Sequence, residues 1–140
     1  VLIPGDSILI GVDLVKDVNQ MLVAYDDPMG VTAAFNKNLL ARMNRELRAT
    51  FDLREFEHEV RWSTEDRRIE MHLRSRRDQS IEIPEAGLRV EFSEAETIWT
   101  ESSHKFRLEE LRSVASRAGF TERSCWTDEE WPFAECLWTV

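Results

Sequence analysis

The chain has 140 residues, 42% hydrophobic and 32% charged, a composition that excludes a disordered polypeptide and allows one domain with a real core. Its net charge of −9 argues against nucleic acid or an anionic membrane as a partner, since an acidic surface attracts neither. No apolar run approaches the roughly 20 residues of a membrane helix, and the opening residues lack the charged-then-apolar order of a secretory signal.

Val1-Leu-Ile-Pro-Gly-Asp leads directly into Ser7-Ile-Leu-Ile-Gly-Val-Asp13. A continuous apolar run ending in an acid predicts a central strand of a parallel sheet, buried on both faces. The residues before it offer no neighbouring strand, so the opening reads as a cut through a larger fold. Asp17 is placed to cap a short helix over Val18–Tyr25, which stops at Asp26-Asp-Pro-Met-Gly30. A longer helix is expected over Val31–Leu47. There Phe35, Leu39, Met43 and Leu47 recur at i+4 beside Val31 and Leu40, and form an apolar stripe. Asn36, Asn38 and Asn44 are weak helix formers that read as surface residues; Asn36, near the helix start, is the best placed to do more.

From Phe56 the period changes to two. Phe56, His58, Val60 and Trp62 alternate with Glu57, Glu59 and Arg61, and Ile69, Met71 and Leu73 alternate with Glu70, His72 and Arg74. Shorter strands at 80–83 and 88–92 flank the turn Pro84-Glu-Ala-Gly87, and a further strand spans 96–101. These predict an antiparallel meander with one dry face and one wet face. A helix over 107–118 carries Leu108, Leu111, Ala115 and Ala118 on one side and is closed by Gly119. Two last strands, 121–126 and 133–139, flank the polar connection Asp128-Glu-Glu-Trp-Pro132. The whole is an α/β pattern with a β-rich insertion.

The stretch from Glu96 to Phe106 carries the chemistry. In a strand, Glu101 and Ser103 project from the same face, with Thr97 and Trp99 alongside. A carboxylate, a hydroxyl and an indole in a row suit a small aromatic ligand that donates hydrogen bonds; an exposed edge strand with a solvated polar face is the alternative. His58, His72 and His104 are not spaced as metal ligands. Cys125 and Cys136, the only cysteines, make neither a zinc pattern nor a disulfide framework, and read as neighbouring reduced thiols in a cytosolic protein.

The closing order of helix, Ala-Gly-Phe, strand, acidic turn and strand resembles the carboxyl-terminal end of class I S-adenosylmethionine-dependent methyltransferases. Longer segments are similar to the histidine-specific N-α-methyltransferases of ergothioneine biosynthesis. They are Ile8-Leu-Ile-Gly-Val-Asp-Leu-Val-Lys-Asp17, Ala24-Tyr-Asp-Asp27, the stretch from Gly30 to Leu40, Asn44-Arg-Glu-Leu47, Arg68-Ile-Glu-Met-His-Leu73 and the stretch from Glu96 to Phe106. The resemblance implies the C-terminal part of a class I (Rossmann-like) methyltransferase sheet with an inserted antiparallel β-rich substrate-binding domain. Residues 1–25 and 106–140 would belong to the core and 26–105 to the insertion.

It further implies that Glu101 accepts the imidazole N–H of L-histidine, that Ser103 lies beside it, that Tyr25 binds the amino acid end and that Met71 packs against the imidazole. The residues themselves leave other roles open: a surface ion pair of Glu101 with Lys105 or Arg107, core packing for Met71, and a helix-end aromatic for Tyr25. One carboxylate and one hydroxyl suffice to read both nitrogens of an imidazole, the carboxylate bond being the stronger. The five glycines are isolated and no Gly-x-Gly occurs. S-adenosylmethionine is therefore expected to be bound mainly by a preceding half, and this chain alone to be inactive. The product implied is trimethylhistidine. A homodimer through the exposed strand Ser7–Asp13 is expected, because an open apolar edge invites pairing. The other functional classes are a non-catalytic small-molecule-binding or interaction domain, and a methyltransferase for another aromatic amino acid.

Overall fold

A computed structural model of the chain describes residues 2–128 and 130–140. Its elements in chain order are β1 (Ser7–Asp13), α1 (Val18–Tyr25), α2 (Val31–Leu47), β2 (Phe56–Ser63), β3 (Arg68–Ser75), β4 (Gln79–Ile83), β5 (Leu88–Phe92), β6 (Thr97–His104), α3 (Leu108–Arg117), β7 (Thr121–Asp128) and β8 (Phe133–Thr139). Short 3₁₀ turns precede β2 and join β4 to β5. The fold is mixed α/β with antiparallel sheets. Two compact units divide it: residues 1–17, 64–67 and 104–140 in one, residues 18–63 and 68–103 in the other.

The first unit holds the sheet β1-β8-β7, antiparallel throughout. One face packs on α3: Val12, Ala134, Cys136 and Trp138 are buried with Leu111 and Ala115. That follows from the amphipathic spacing of α3, whose Leu111 and Ala115 stand one turn apart. β1 is paired antiparallel, where its sequence predicts a parallel sheet. Among the described residues its strand partner is β8, antiparallel, so β1 is an edge strand, and Leu9 on it is 63% exposed. Among the described residues of this unit, parallel pairing is limited to an isolated bridge between Leu14 and Phe106. Val12 lies on the face covered by α3, and Leu9 on the opposite, exposed face. Gly11 lies on that open face against the Phe133 ring; a Cβ at Gly11 would stand 2.9 Å from Phe133 Cζ.

Cys125 and Cys136 are register partners across β7 and β8 and are joined as a disulfide. This corrects the expectation of two reduced thiols. The physical reason is the hairpin register, which sets the two side chains directly opposite each other. The expected polar connection at 128–132 includes Glu129, which lies outside the described residues. Next to it, Asp128 Oδ1 accepts from the backbone N–H groups of Glu130 and Trp131.

In the second unit β2, β3 and β6 form one sheet and β4 and β5 another, so the expected single meander is split in two. β2 and β3 pair from Phe56↔Ser75 to Ser63↔Arg68. The core gathers Phe51, Phe56, Phe92, Leu40, Leu73, Ile81 and Ile83. The Phe56 ring stands edge-on to Phe51 and Phe92 at 5.6 and 5.5 Å between centroids, a geometry that aromatic quadrupoles favour.

The α2 stripe is only partly buried. Leu40 is fully enclosed and Met43 and Leu47 pack against the core, but Phe35 is 68% exposed, and Val31 and Leu39 are exposed too. The buried line runs instead through Asn36 and Leu40, one turn apart. Its N-terminus is held by Asp27, whose carboxylate accepts from Val31 N at 3.0 Å and Thr32 N at 2.8 Å. These backbone bonds hold the Asp27 carboxyl down at about 2. No helix among the described residues is long and apolar enough to cross a membrane.

Candidate functional site

The residues singled out by sequence fall on α1, β3 and β6. Tyr25 is the last residue of α1 and Ser103 lies near the end of β6, yet the Tyr25 hydroxyl meets Ser103 Oγ at 2.7 Å across 78 residues of sequence. The fold thus brings together a tyrosine and a serine that no local pattern connects.

Glu101 lies two residues before Ser103 on β6 and is exposed. Its carboxylate makes no ion pair with any described residue; Lys105, an expected partner, is instead paired with Asp13 at 2.6 Å. Glu101 and Thr100 line one side of an open cleft of about 320 Å³, and Phe35, Asn36, Asn38, Leu39 and Arg42 of α2 line the other. That volume falls at the lower end of small-molecule sites. The exposed Phe35 and Leu39 that failed to reach the core are therefore walls of the cleft. Met71 is 4% exposed, in the middle of β3 opposite Val60, and its carbonyl accepts from Thr100 Oγ1 at 2.8 Å.

Trp99 is not among the residues that line the cleft. Trp99 stacks on His72 with centroids 6.1 Å apart and planes 17° apart, and the Arg68 guanidinium lies over the indole at 4.5 Å. His72 is next to Met71 in the strand and so points to the opposite side of the sheet. Ser103 meets the Tyr25 hydroxyl, the Tyr25 carbonyl accepts from His58, and His58 pairs with Leu73 on the Met71 side. The indole is thus part of a cation–π and aromatic stack on the other face.

Sequence reasoning missed two contributors. By pattern alone His58 is a sheet residue, and Asn36 stands out only for its place near the helix start. Asn36 is 6% exposed, and its side-chain amide donates to the His72 carbonyl at 3.1 Å and meets His58 Nδ1 at 3.0 Å. His58 Nε2 lies 2.9 Å from the Tyr25 carbonyl. The available signal was a short amide in a helix interior, which competes with its own backbone and earns its place only through a tertiary partner.

A family profile described as "Histidine-specific methyltransferase, SAM-dependent" matches residues 1–140. The chain is 48% identical over 134 residues to "Histidine N-alpha-methyltransferase" of Mycolicibacterium smegmatis, and 46% identical over 134 residues to the protein of the same name from Mycobacterium tuberculosis. Each alignment covers 96% of this chain and 42% of the relative, so the chain spans well under half the length of these curated relatives. The profile match over the full 140 residues shows that the chain belongs to the histidine-specific, S-adenosylmethionine-dependent methyltransferase family.

Proposed function

We propose that this chain supplies the histidine-holding portion of an S-adenosylmethionine-dependent L-histidine N-α-methyltransferase whose product is trimethylhistidine. The observation that carries the reading is the meeting of Tyr25 with Ser103 at 2.7 Å, two residues along β6 from Glu101, whose carboxylate makes no ion pair with the described residues. In this reading Glu101 accepts the imidazole N–H and Ser103 pairs with the other nitrogen. Tyr25 binds the amino acid end next to Ser103, and Met71 gives the imidazole an apolar wall. A site built to pair both nitrogens rejects analogues lacking them by about 10⁴-fold. It also favours imidazole over the single N–H of an indole.

The described residues do not by themselves fit S-adenosylmethionine. Asp13, the acid at the end of β1, is taken up by Lys16 and Lys105, each at 2.6 Å. The glycines are isolated, so no tight turn brings backbone close to a ribose. The cofactor is assigned mainly to the part of the relatives that the match leaves uncovered. What this chain contributes to methyl transfer is position: holding the imidazole fixes the amine, and near-attack geometry can supply up to roughly 10 kcal/mol of a barrier.

The core is assigned to residues 1–25 and 106–140 and the insertion to 26–105. Two compact units with boundaries near these points support the division, although α1 groups with the insertion. The open edge of β1 is where further strands, or a second copy of the chain, would add. An intracellular location fits the proposed substrate.

Isotope-labelled chain titrated with L-histidine tests the assignment. Resonances of Tyr25, Glu101 and Ser103 are expected to move together, and to move much less with L-tryptophan; movement confined to other residues would contradict it. The purified 140-residue chain is expected to transfer no methyl label to histidine, and detectable transfer would overturn that part.

A further inference from the structure

We infer that Asn36 and His58 are positioning residues that fix Tyr25 for its partner Ser103. The chemistry of the chain of contacts leaves one arrangement. The His72 carbonyl only accepts, so the Asn36 side-chain atom 3.1 Å from it is the amide nitrogen. That same nitrogen lies 3.0 Å from His58 Nδ1, and an amide NH₂ cannot accept, so Nδ1 carries the lone pair. The proton of the neutral ring is then on Nε2, 2.9 Å from the Tyr25 carbonyl, which only accepts. Each link sets the next: amide to imidazole, imidazole to carbonyl. The tyrosine so anchored sends its own hydroxyl to Ser103 Oγ at 2.7 Å.

The place of the carbonyl explains why it needs this donor. Tyr25 ends α1, and the last carbonyls of a helix have no donor within the helix. His58, on β2, supplies one from outside and pins the helix end to the sheet. Asn36, one turn into α2, fixes which way the imidazole faces. An imidazolium would set Nδ1–H against the Asn36 NH₂, donor against donor, so the arrangement requires the neutral ring. Neither residue lies within hydrogen-bond reach of Ser103; both act through Tyr25. The inference rests on the proposed histidine site for its functional meaning, but its structural content is independent of any ligand.

Tyr25 is the chain's one tyrosine, so ¹³C-labelled tyrosine gives a single ring signal set. In the unmodified chain, ¹⁵N spectra are expected to show His58 as the neutral ring protonated on Nε2; protonation on Nδ1 instead would overturn the inference without any mutant. His58→Phe keeps an aromatic ring and removes both bonds, and is expected to move the Tyr25 signals and abolish the Tyr25–Ser103 cross-peak. His58→Gln, which has both a donor and an acceptor, is expected to restore them. L-histidine affinity should follow, about tenfold weaker in His58→Phe and within about threefold of the parent in His58→Gln. In a Tyr25→Phe background, His58→Phe should add little further loss. Unchanged Tyr25 signals in a folded His58→Phe chain refute the inference. Tyr25 signals that respond as described in a chain that binds no L-histidine uphold it, and count against the substrate reading instead.

Discussion

Lys105 is 2% exposed, and its ammonium meets Asp13 Oδ2 at 2.6 Å; Asp13 in turn reaches Lys16 at 2.6 Å. Burial works to raise the Asp13 pKa, but hydrogen bonds from Lys105 and Lys16 outweigh it and hold the carboxyl below its ordinary value. The two ends of this pair are unequal. Asp13→Asn removes the carboxylate that the enclosed Lys105 ammonium meets at 2.6 Å, and breaking a buried pair from one side costs about 3–5 kcal/mol. The Asp13 side chain is 28% exposed, so water reaches the site and the lower end applies, about 3 kcal/mol. For a chain near this length that is a fall of roughly 6–12 °C in melting temperature. Lys105→Met removes the buried charge and keeps its volume, while Asp13 keeps Lys16; apolar replacement of buried charge is often close to neutral, so about 1 kcal/mol is expected. The double variant should be more stable than Asp13→Asn alone. Urea unfolding of the four proteins measures the cycle. Equal costs for Lys105→Met and Asp13→Asn would contradict the unequal burial of the two ends of the pair.

Two further expectations concern α2. Leu40→Ala should cost about 2–5 kcal/mol, because Leu40 is fully enclosed, whereas Phe35→Ala, at an exposed cleft wall, should change stability by no more than about 0.5 kcal/mol; equal losses would mean the stripe is buried as a whole. Asp27 is held down at about 2 by the Val31 and Thr32 N–H groups, below its ordinary 3.8. A depressed carboxyl stabilises the fold above its unfolded value and loses that contribution as pH falls through the folded one. Part of the acid sensitivity should therefore lie between about 3.8 and 2, and vanish in Asp27→Asn. An NMR titration of Asp27 with a midpoint near 3.8 would contradict the capping role.

The element boundaries were legible where period and punctuation agreed. Val18–Tyr25 and Val31–Leu47 lie where the caps and the i+4 stripe put them, and β2 and β3 follow the alternation that starts at Phe56. What sequence hid was which face an element buries. Val31, Phe35 and Leu39 have the spacing of a core stripe, yet the covered line runs through Asn36 and Leu40, since periodicity records apolar residues and not the surfaces available to cover them. The apolar run of β1 likewise does not record that its partner β8 runs antiparallel. At the site, Glu101 and Ser103 were visible as polar groups in a strand. The meeting of Tyr25 with Ser103 and the anchoring of Tyr25 through His58 and Asn36 join residues far apart in sequence, and single-residue patterns do not encode such pairs.

In the proposed function the chain already carries a site for histidine, with Glu101 as its charged contact. Calorimetric titration of L-histidine into the chain, repeated with Glu101→Ala, decides whether it does. Saturable binding that weakens by about 10- to 100-fold in Glu101→Ala is the expected result, the size of a hydrogen bond to a charged group. Binding that Glu101→Ala leaves unchanged, or no binding to the unmodified chain, would contradict it.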